Sequence, residues 1–104
     1  GEDSKSGVAP AQLAALAEAV LSLPRLQLRG LMAIPAATTD TREQHRAFAA
    51  LRELLNALNA KLQLAGTGRA LDTLSMGMSA DLEAAIAEGS TLVRVGTDLF
   101  GQRQ

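Results

Sequence analysis

Three short segments with the pattern of strands alternate with three amphipathic stretches, and this order constrains the fold more than any other feature of the sequence. The predicted strands are residues 26–34, which first alternate and then become continuously apolar, residues 71–74 and residues 92–95. Helical periodicity predicts helices from Pro10 to before Pro24, from Asp40 to about Lys61, and over residues 80–88. Strands separated by helices of this length are typical of a parallel sheet with both faces covered. We therefore predict an α/β fold that forms one domain over residues 1–104.

The second amphipathic stretch carries the strongest helix signal. Asp40 and Glu43 have the spacing of a capping box at its start. Its apolar residues recur every three or four positions and predict one buried face. They are Phe48, Leu51, Leu54, Leu55, Leu58 and Leu62.

Two of the predicted strands run into polar segments that contain glycine, at residues 75–79 and 96–97. In a parallel sheet the carboxyl ends of all strands lie on one rim, so these two segments and residues 35–37 should converge there. These segments offer three features that would bind a phosphate. They are backbone N–H groups near glycine, the start of a helix after Ser79, and the hydroxyls of Ser75, Ser79 and Thr97. Two structural alternatives remain open: Ser79 as a simple helix N-cap, and Arg94 as half of a structural ion pair.

Composition excludes several classes of function. Aromatic residues make up 2% of the chain and the net charge is -1, so neither stacking platforms nor a basic surface for nucleic acid is present. The sequence has no cysteine and a single histidine, His45, so we expect no metal site. We expect His45 to lie on a solvated helix face, together with Arg42, Arg46 and Arg52. No apolar run approaches the roughly 20 residues that span a membrane, so we expect a cytoplasmic protein without membrane contact.

Four segments together resemble the YggS/PROSC family of pyridoxal phosphate homeostasis proteins. They are residues 28–35 (LRGLMAIP), 74–79 (LSMGMS), 81–89 (DLEAAIAEG) and 93–101 (VRVGTDLFG). The family fold is a (β/α)8 barrel, related to the barrel of alanine racemase and about twice this length, which holds pyridoxal 5′-phosphate (PLP) as an imine on a lysine near its amino terminus. The resemblance implies that this chain is the carboxyl-terminal half of such a barrel. Neither Lys5 nor Lys61 matches the imine-forming position, so that lysine is expected in the missing half.

The resemblance also implies roles for individual residues. Ser79, Gly96 and Thr97 would bind the cofactor phosphate, and Arg94 would face the pyridine nitrogen. Four residues would shape the wall beside the ring: Met32, Ser75, Met76 and Gly77.

The function implied is non-catalytic PLP binding in vitamin B6 and amino-acid homeostasis. One alternative is a fragment of an alanine racemase-like enzyme, although the sequence lacks the tyrosine that would serve as its acid–base group. Another is an independent α/β module that binds phosphate. Because half a barrel exposes strand edges and an apolar interior, we expect the chain either to pair with its missing half or to self-associate.

Overall fold

Helices and strands alternate along the chain, as the sequence predicts. The structure is a computed structural model that describes residues 7–62 and 70–95. After a 3₁₀ turn at Pro10–Gln12, the elements in chain order are α1 (Leu13–Leu21), β1 (Gly30–Met32), α2 (Thr41–Lys61), β2 (Thr73–Met78), a 3₁₀ turn (Ser79–Asp81), α3 (Leu82–Ala87) and β3 (Leu92–Arg94). The predicted α/β class is confirmed.

The three strands form one parallel sheet in the order β1-β2-β3. On one side of β2, Leu31 pairs with Leu74 and Met32 pairs with Ser75. On the other side, Ser75 pairs with Leu92 and Met78 pairs with Arg94, with an irregularity between these two pairs. The central strand therefore carries hydrogen bonds on both edges, and the predicted parallel pairing is confirmed.

The strand boundaries differ from the predicted ones. Of residues 26–34, only Gly30–Met32 form a strand. The prediction that residues 75–79 form a turn is wrong for its first four residues, because β2 continues to Met78. Ser75 remains in the sheet because its carbonyl accepts a hydrogen bond from Ala33 N at 3.2 Å. A glycine in the irregular end of a strand has the same sequence signature as a glycine in a turn.

The core lies between one face of the sheet and the helices. Helix α2 contributes the predicted face through Phe48, Leu51, Leu55 and Leu58, while Leu54 and Leu62 pack at its margin. Strand β2 contributes Leu74 and Met76 to the core. Helices α1 and α3 contribute alanines, whose small side chains let these helices pack closely against the rest of the core. Phe48 and Met76 are fully buried, and burial of a side chain of this size stabilises the fold by about 1.5–3 kcal/mol.

No described helix covers the opposite face of the sheet, contrary to the prediction that both faces are covered. Side chains alternate along a strand, so Met32, Ser75 and Leu92, which lie side by side in the register, point away from the buried Leu74 and Met76. Met32 is 59% exposed and Leu92 is 55% exposed. The irregularity between Ser75 and Met78 shifts the alternation by one residue, so Met78 lies on the same face as its partner Arg94. We call this surface the open sheet face and define it by Met32, Ser75, Met78, Leu92 and Arg94.

Within residues 7–62 and 70–95, no helix is both long enough and apolar enough to cross a membrane.

Candidate functional site

A cavity of about 750 Å³ lies where the carboxyl ends of the three strands meet. Three parts of the chain form its wall: the segment after β1, the end of β2 with the turn that follows it, and the end of β3. The lining residues are Ala33, Ile34, Pro35, Ala37, Thr38, Thr39, Gly77, Met78, Ser79, Ala80, Asp81 and Arg94. The segments predicted to converge at 35–37 and 75–79 thus meet at this rim, while residues 96–97 lie outside the described part of the chain.

Gly77 allows the end of β2 to pack closely against α3. Its φ is 104°, a conformation that L side chains rarely adopt. A Cβ at this position would lie 2.5 Å from Cβ of Ala85 and 3.4 Å from Cγ1 of Val93. Glycine therefore fixes both the path of the strand and the position of the turn that follows it.

The turn after β2 is held by a side chain of its own. Oδ1 of Asp81 accepts a hydrogen bond from the backbone N–H of Met78 at 2.8 Å, which closes a loop around Ser79. Ser79 is not the helix N-cap, because Met78 caps the 3₁₀ turn and Asp81 caps α3. The N-cap alternative for Ser79 is therefore wrong, and its side chain belongs to the cavity wall.

Arg94 brings a half-buried cation to the same wall. Its Nε and Nη2 atoms are buried and have no hydrogen-bond partner in the part of the chain that is described. Within those same residues Arg94 makes no ion pair, so the structural alternative for this arginine finds no support there. A buried guanidinium nitrogen without an acceptor costs free energy, so these atoms are suited to bind an acceptor in the cavity.

The loop between β1 and α2 forms the third side of the cavity. The hydroxyl of Thr38 accepts a hydrogen bond from Asp40 N at 3.1 Å and lies 3.3 Å from Oε2 of Glu43. Oδ1 of Asp40 in turn accepts from Arg42 N at 2.9 Å and caps α2. The predicted cap is confirmed for Asp40, whereas Glu43 contacts Thr38 rather than closing a capping box.

The structure brings together some of the predicted site residues and separates others. Gly77, Ser79 and Arg94 line the cavity. Met32 and Ser75 lie on the open sheet face below it, and Met76 is buried in the core on the helix side. Gly96 and Thr97 fall outside the described residues. The role of each residue in cofactor binding remains a prediction.

Sequence reasoning missed Thr38, Thr39 and Asp81 as lining residues. The signal was available for the two threonines, because a polar pair directly after an apolar strand and Pro35 sits at the rim of a parallel sheet. For Asp81 the sequence indicates only an acidic residue at the start of the third predicted helix, where a carboxylate favours the helix N-terminus.

A second groove, of about 780 Å³, adjoins the cavity between the start of α2 and α3. Thr38, Thr39, Ser79, Ala80 and Asp81 line both spaces, so they form a shared wall. The remaining groove residues belong to the helices and include Gln44, His45 and Glu83.

The carboxylate of Glu88 links α2 to the end of α3. Oε2 of Glu88 lies 2.7 Å from Nδ1 of His45, and Oε1 accepts from Nη1 of Arg52 at 2.6 Å. Hydrogen bonds, from His45 foremost and then from Arg52, lower the pKa of Glu88 from its ordinary value. The expectation that His45 and Arg52 lie on a merely solvated face is wrong, because both side chains contact Glu88. No local sequence pattern reveals these contacts, since Glu88 lies at the end of another helix.

Comparison with known proteins finds a matching family model and several curated relatives. The family model for the alanine racemase N-terminal domain matches residues 2–104. A pyridoxal phosphate homeostasis protein of Pseudomonas aeruginosa is 63% identical over 99% of this chain and 41% of its own length. The protein of the same name in Vibrio cholerae is 52% identical with the same coverage. The chain therefore spans about two fifths of the length of these curated relatives.

Solved structures of similar proteins share the fold of this chain. PipY of Synechococcus elongatus, solved without PLP, superposes with a TM-score of 0.84 at 38% identity, over 97% of this chain and 45% of PipY. The structure of PipY with PLP bound gives a TM-score of 0.82 at the same identity, over 94% of this chain and 44% of PipY.

Proposed function

Because the chain belongs to the alanine racemase N-terminal domain family, we propose that it forms part of a PLP-binding barrel that acts in PLP homeostasis without catalysing a reaction. The resemblance to pyridoxal phosphate homeostasis proteins is confirmed by the curated relatives. A PipY structure at 38% identity contains PLP, which supports the same ligand for this chain. A cytoplasmic location completes the proposal and agrees with a sequence that has no cysteine.

The observation that carries the proposal is the buried, unpartnered edge of Arg94 in the wall of the cavity. Nε and Nη2 are donors that lack acceptors among the described residues, and they lie where a ligand can supply one. The pyridine nitrogen of PLP offers a single in-plane lone pair, which fits one of these donors. A cavity of about 750 Å³ has ample room for a ligand of this size.

The opposite end of the ligand is assigned to the turn after β2. Ser79 lines the cavity at the position that Gly77 and Asp81 fix, and we propose that its hydroxyl donates to the cofactor phosphate. Gly96 and Thr97, which follow β3 along the sequence, are proposed to donate from the neighbouring strand end. Hydrogen bonds to a charged phosphate contribute about 1.5–3 kcal/mol each, so a few of them give firm binding.

The chemistry of Arg94 weakens the case for aminotransferase chemistry. When bound, PLP acts as an electron sink most effectively if its ring nitrogen is protonated. A guanidinium keeps its own protons at any physiological pH and can only donate, so it disfavours a proton on that nitrogen. We propose that this chain binds and orients the cofactor while restraining its reactivity.

We further propose that the chain is the carboxyl-terminal half of the barrel. The open sheet face would then form part of the barrel interior, and the outer strands β1 and β3 would pair with strands of the other half. Lys61 ends α2 and does not line the cavity, which agrees with an imine lysine in the missing half. The site residues of this chain would hold the phosphate and the pyridine nitrogen.

The test is a PLP titration of the completed barrel and its Arg94→Gln variant, followed by the absorbance of the bound cofactor. We expect the variant to bind PLP at least about tenfold more weakly, because one charge-assisted hydrogen bond is lost. Arg29→Gln is the control, since Arg29 pairs with Asp72 at 3.4 Å on the exposed surface. Equal affinities of the Arg94→Gln variant and the wild type would refute the assignment of this arginine.

A further inference from the structure

Asp81 is the one anionic residue among the described residues that line the cavity, and Arg94 is the one cationic residue. Asp81 also belongs to the wall that the cavity shares with the second groove. A carboxylate is an unexpected neighbour for an anionic ligand, because like charges repel. Its local role is structural, because Asp81 is the N3 residue of a capping box at the start of the 3₁₀ turn.

Part of this role is the hydrogen bond from Met78 N to Oδ1 of Asp81. The bond spans three residues and encloses Ser79, so it fixes the path of the backbone at Ser79. Only one carboxylate oxygen is used in this contact. The hydrogen bond itself does not require a negative charge, since an amide oxygen accepts equally well.

The charge therefore has a separate consequence. A phosphate bound at Ser79 would lie two residues along the chain from the carboxylate of Asp81. Repulsion between them weakens the binding of a phosphate dianion and acts less on a ligand without phosphate. Such a site holds its ligand less tightly than its donors alone allow, which suits a protein that must release what it binds.

We propose that Asp81 is a positioning residue that shapes the Ser79 turn and, through its charge, limits the affinity of the cavity for dianionic phosphates. The inference rests on the proposed function, because it takes Ser79 as the phosphate ligand. The side chain of Asp81 has two separate properties, the acceptor oxygen and the negative charge, and the charge can be removed while the acceptor is kept.

The experiment compares Asp81→Asn and Asp81→Ala with the wild type in the completed barrel, with PLP and pyridoxal as the two ligands. Asp81→Asn keeps the acceptor and removes the charge, so we expect PLP to bind about threefold to tenfold more tightly while pyridoxal changes by less than about twofold. The gain for PLP should shrink in high salt. Asp81→Ala removes both properties, so PLP should bind more weakly than it does to Asp81→Asn.

Glu83→Gln is the matched control, because Glu83 lines the groove but not the cavity and is an exposed acid in the first turn of α3. We expect its effect on PLP to be smaller than that of Asp81→Asn. Competition by inorganic phosphate, which should also strengthen in Asp81→Asn, distinguishes recognition of the phosphate from recognition of the ring.

Each outcome decides the matter. If the wild-type barrel binds PLP and Asp81→Asn binds it no more tightly, the inference about charge is overturned while the proposed function stands. If Asp81→Ala and Asp81→Asn behave alike, the positioning role is overturned. A wild-type barrel that binds no PLP overturns the proposed function and this inference with it. Asp81→Asn decides the question of charge even if Asp81→Ala does not fold.

Discussion

At the scale of single residues, the cavity combines the buried nitrogens of Arg94 with the turn that carries Ser79. Arg94 ends β3 and Ser79 begins the 3₁₀ turn after β2, and the register that places Arg94 beside Met78 brings them together. Sequence motifs predicted both residues as site members but not the contact of Asp81 with Met78 N. That contact depends on the three-dimensional path of a three-residue turn.

Ser79→Ala should weaken PLP binding while leaving pyridoxal nearly unchanged. The hydroxyl is proposed to donate to the phosphate, which pyridoxal lacks, and loss of one such bond corresponds to about a tenfold change in affinity. Equilibrium titration of both ligands measures the difference. Ser22→Ala is a control on the surface, because the hydroxyl of Ser22 bonds to Ala19 O at the end of α1. An equal loss for both ligands would contradict a phosphate role for Ser79.

At the scale of elements, β2 decides the geometry of the site. It is the central strand, its end is irregular, and Gly77 in that end approaches α3. The sequence predicted the order of the elements and the apolar face of α2, because periodicity is a local property. It failed at residues 75–78, because pairing with two neighbouring strands overrides the local preference of serine and glycine for turns.

Gly77→Ala should destabilise the fold by about 1–3 kcal/mol, because the new methyl meets Ala85 and the backbone must keep a positive φ. Gly89→Ala separates the two causes. Gly89 has the same φ of 104°, but its nearest neighbour is Cδ of Arg52 at 3.6 Å, so it adds strain without a clash. Urea unfolding of both variants measures the costs. A Gly89→Ala variant that is destabilised as much as Gly77→Ala would show that the contact with Ala85 is unimportant.

The contacts of Glu88 with His45 and Arg52, which link α2 to α3, should make the stability of the fold depend on pH. The pKa of Glu88 is lower in the folded state than its ordinary value near 4.3, so the contact stabilises the fold above that value. The stabilisation is lost as pH falls through the lowered pKa. In Glu88→Gln we expect a lower Tm than the wild type at pH 7 and a smaller difference near pH 3.

Thermal melts followed by circular dichroism between pH 3 and 7 test this expectation. Glu53→Gln serves as the control, because its carboxylate lies 3.9 Å from Arg52 and its side chain is 75% exposed. A constant difference between Glu88→Gln and the wild type over the whole pH range would count against the charged contact.

At the scale of the whole molecule, the described residues form one layer of helices on one side of a sheet. The open sheet face exposes apolar side chains, and β1 and β3 leave their outer edges unpaired by any described strand. The sequence predicted this arrangement only through the family resemblance, because a helix–strand order does not say how many units close a barrel. Apolar surface and free edges of this kind favour association.

The isolated chain should therefore self-associate, and Leu92→Lys should reduce the association by placing a charge on the open sheet face. Ile86→Lys is the matched control, because Ile86 is 57% exposed but lies on α3. Sedimentation velocity over a range of concentrations gives the distribution of species. A wild-type chain that stays monomeric at high concentration, or equal effects of both lysines, would contradict this assignment of the surface.

The two outer strands have one more consequence. Since β1 and β3 are parallel to the central strand and both can accept a neighbour, the unit can be extended from either side without rearranging its own pairs. A molecule built in this way suits split-protein complementation. Two separately expressed pieces could each be inert, and joining them would assemble the cavity and produce a measurable signal.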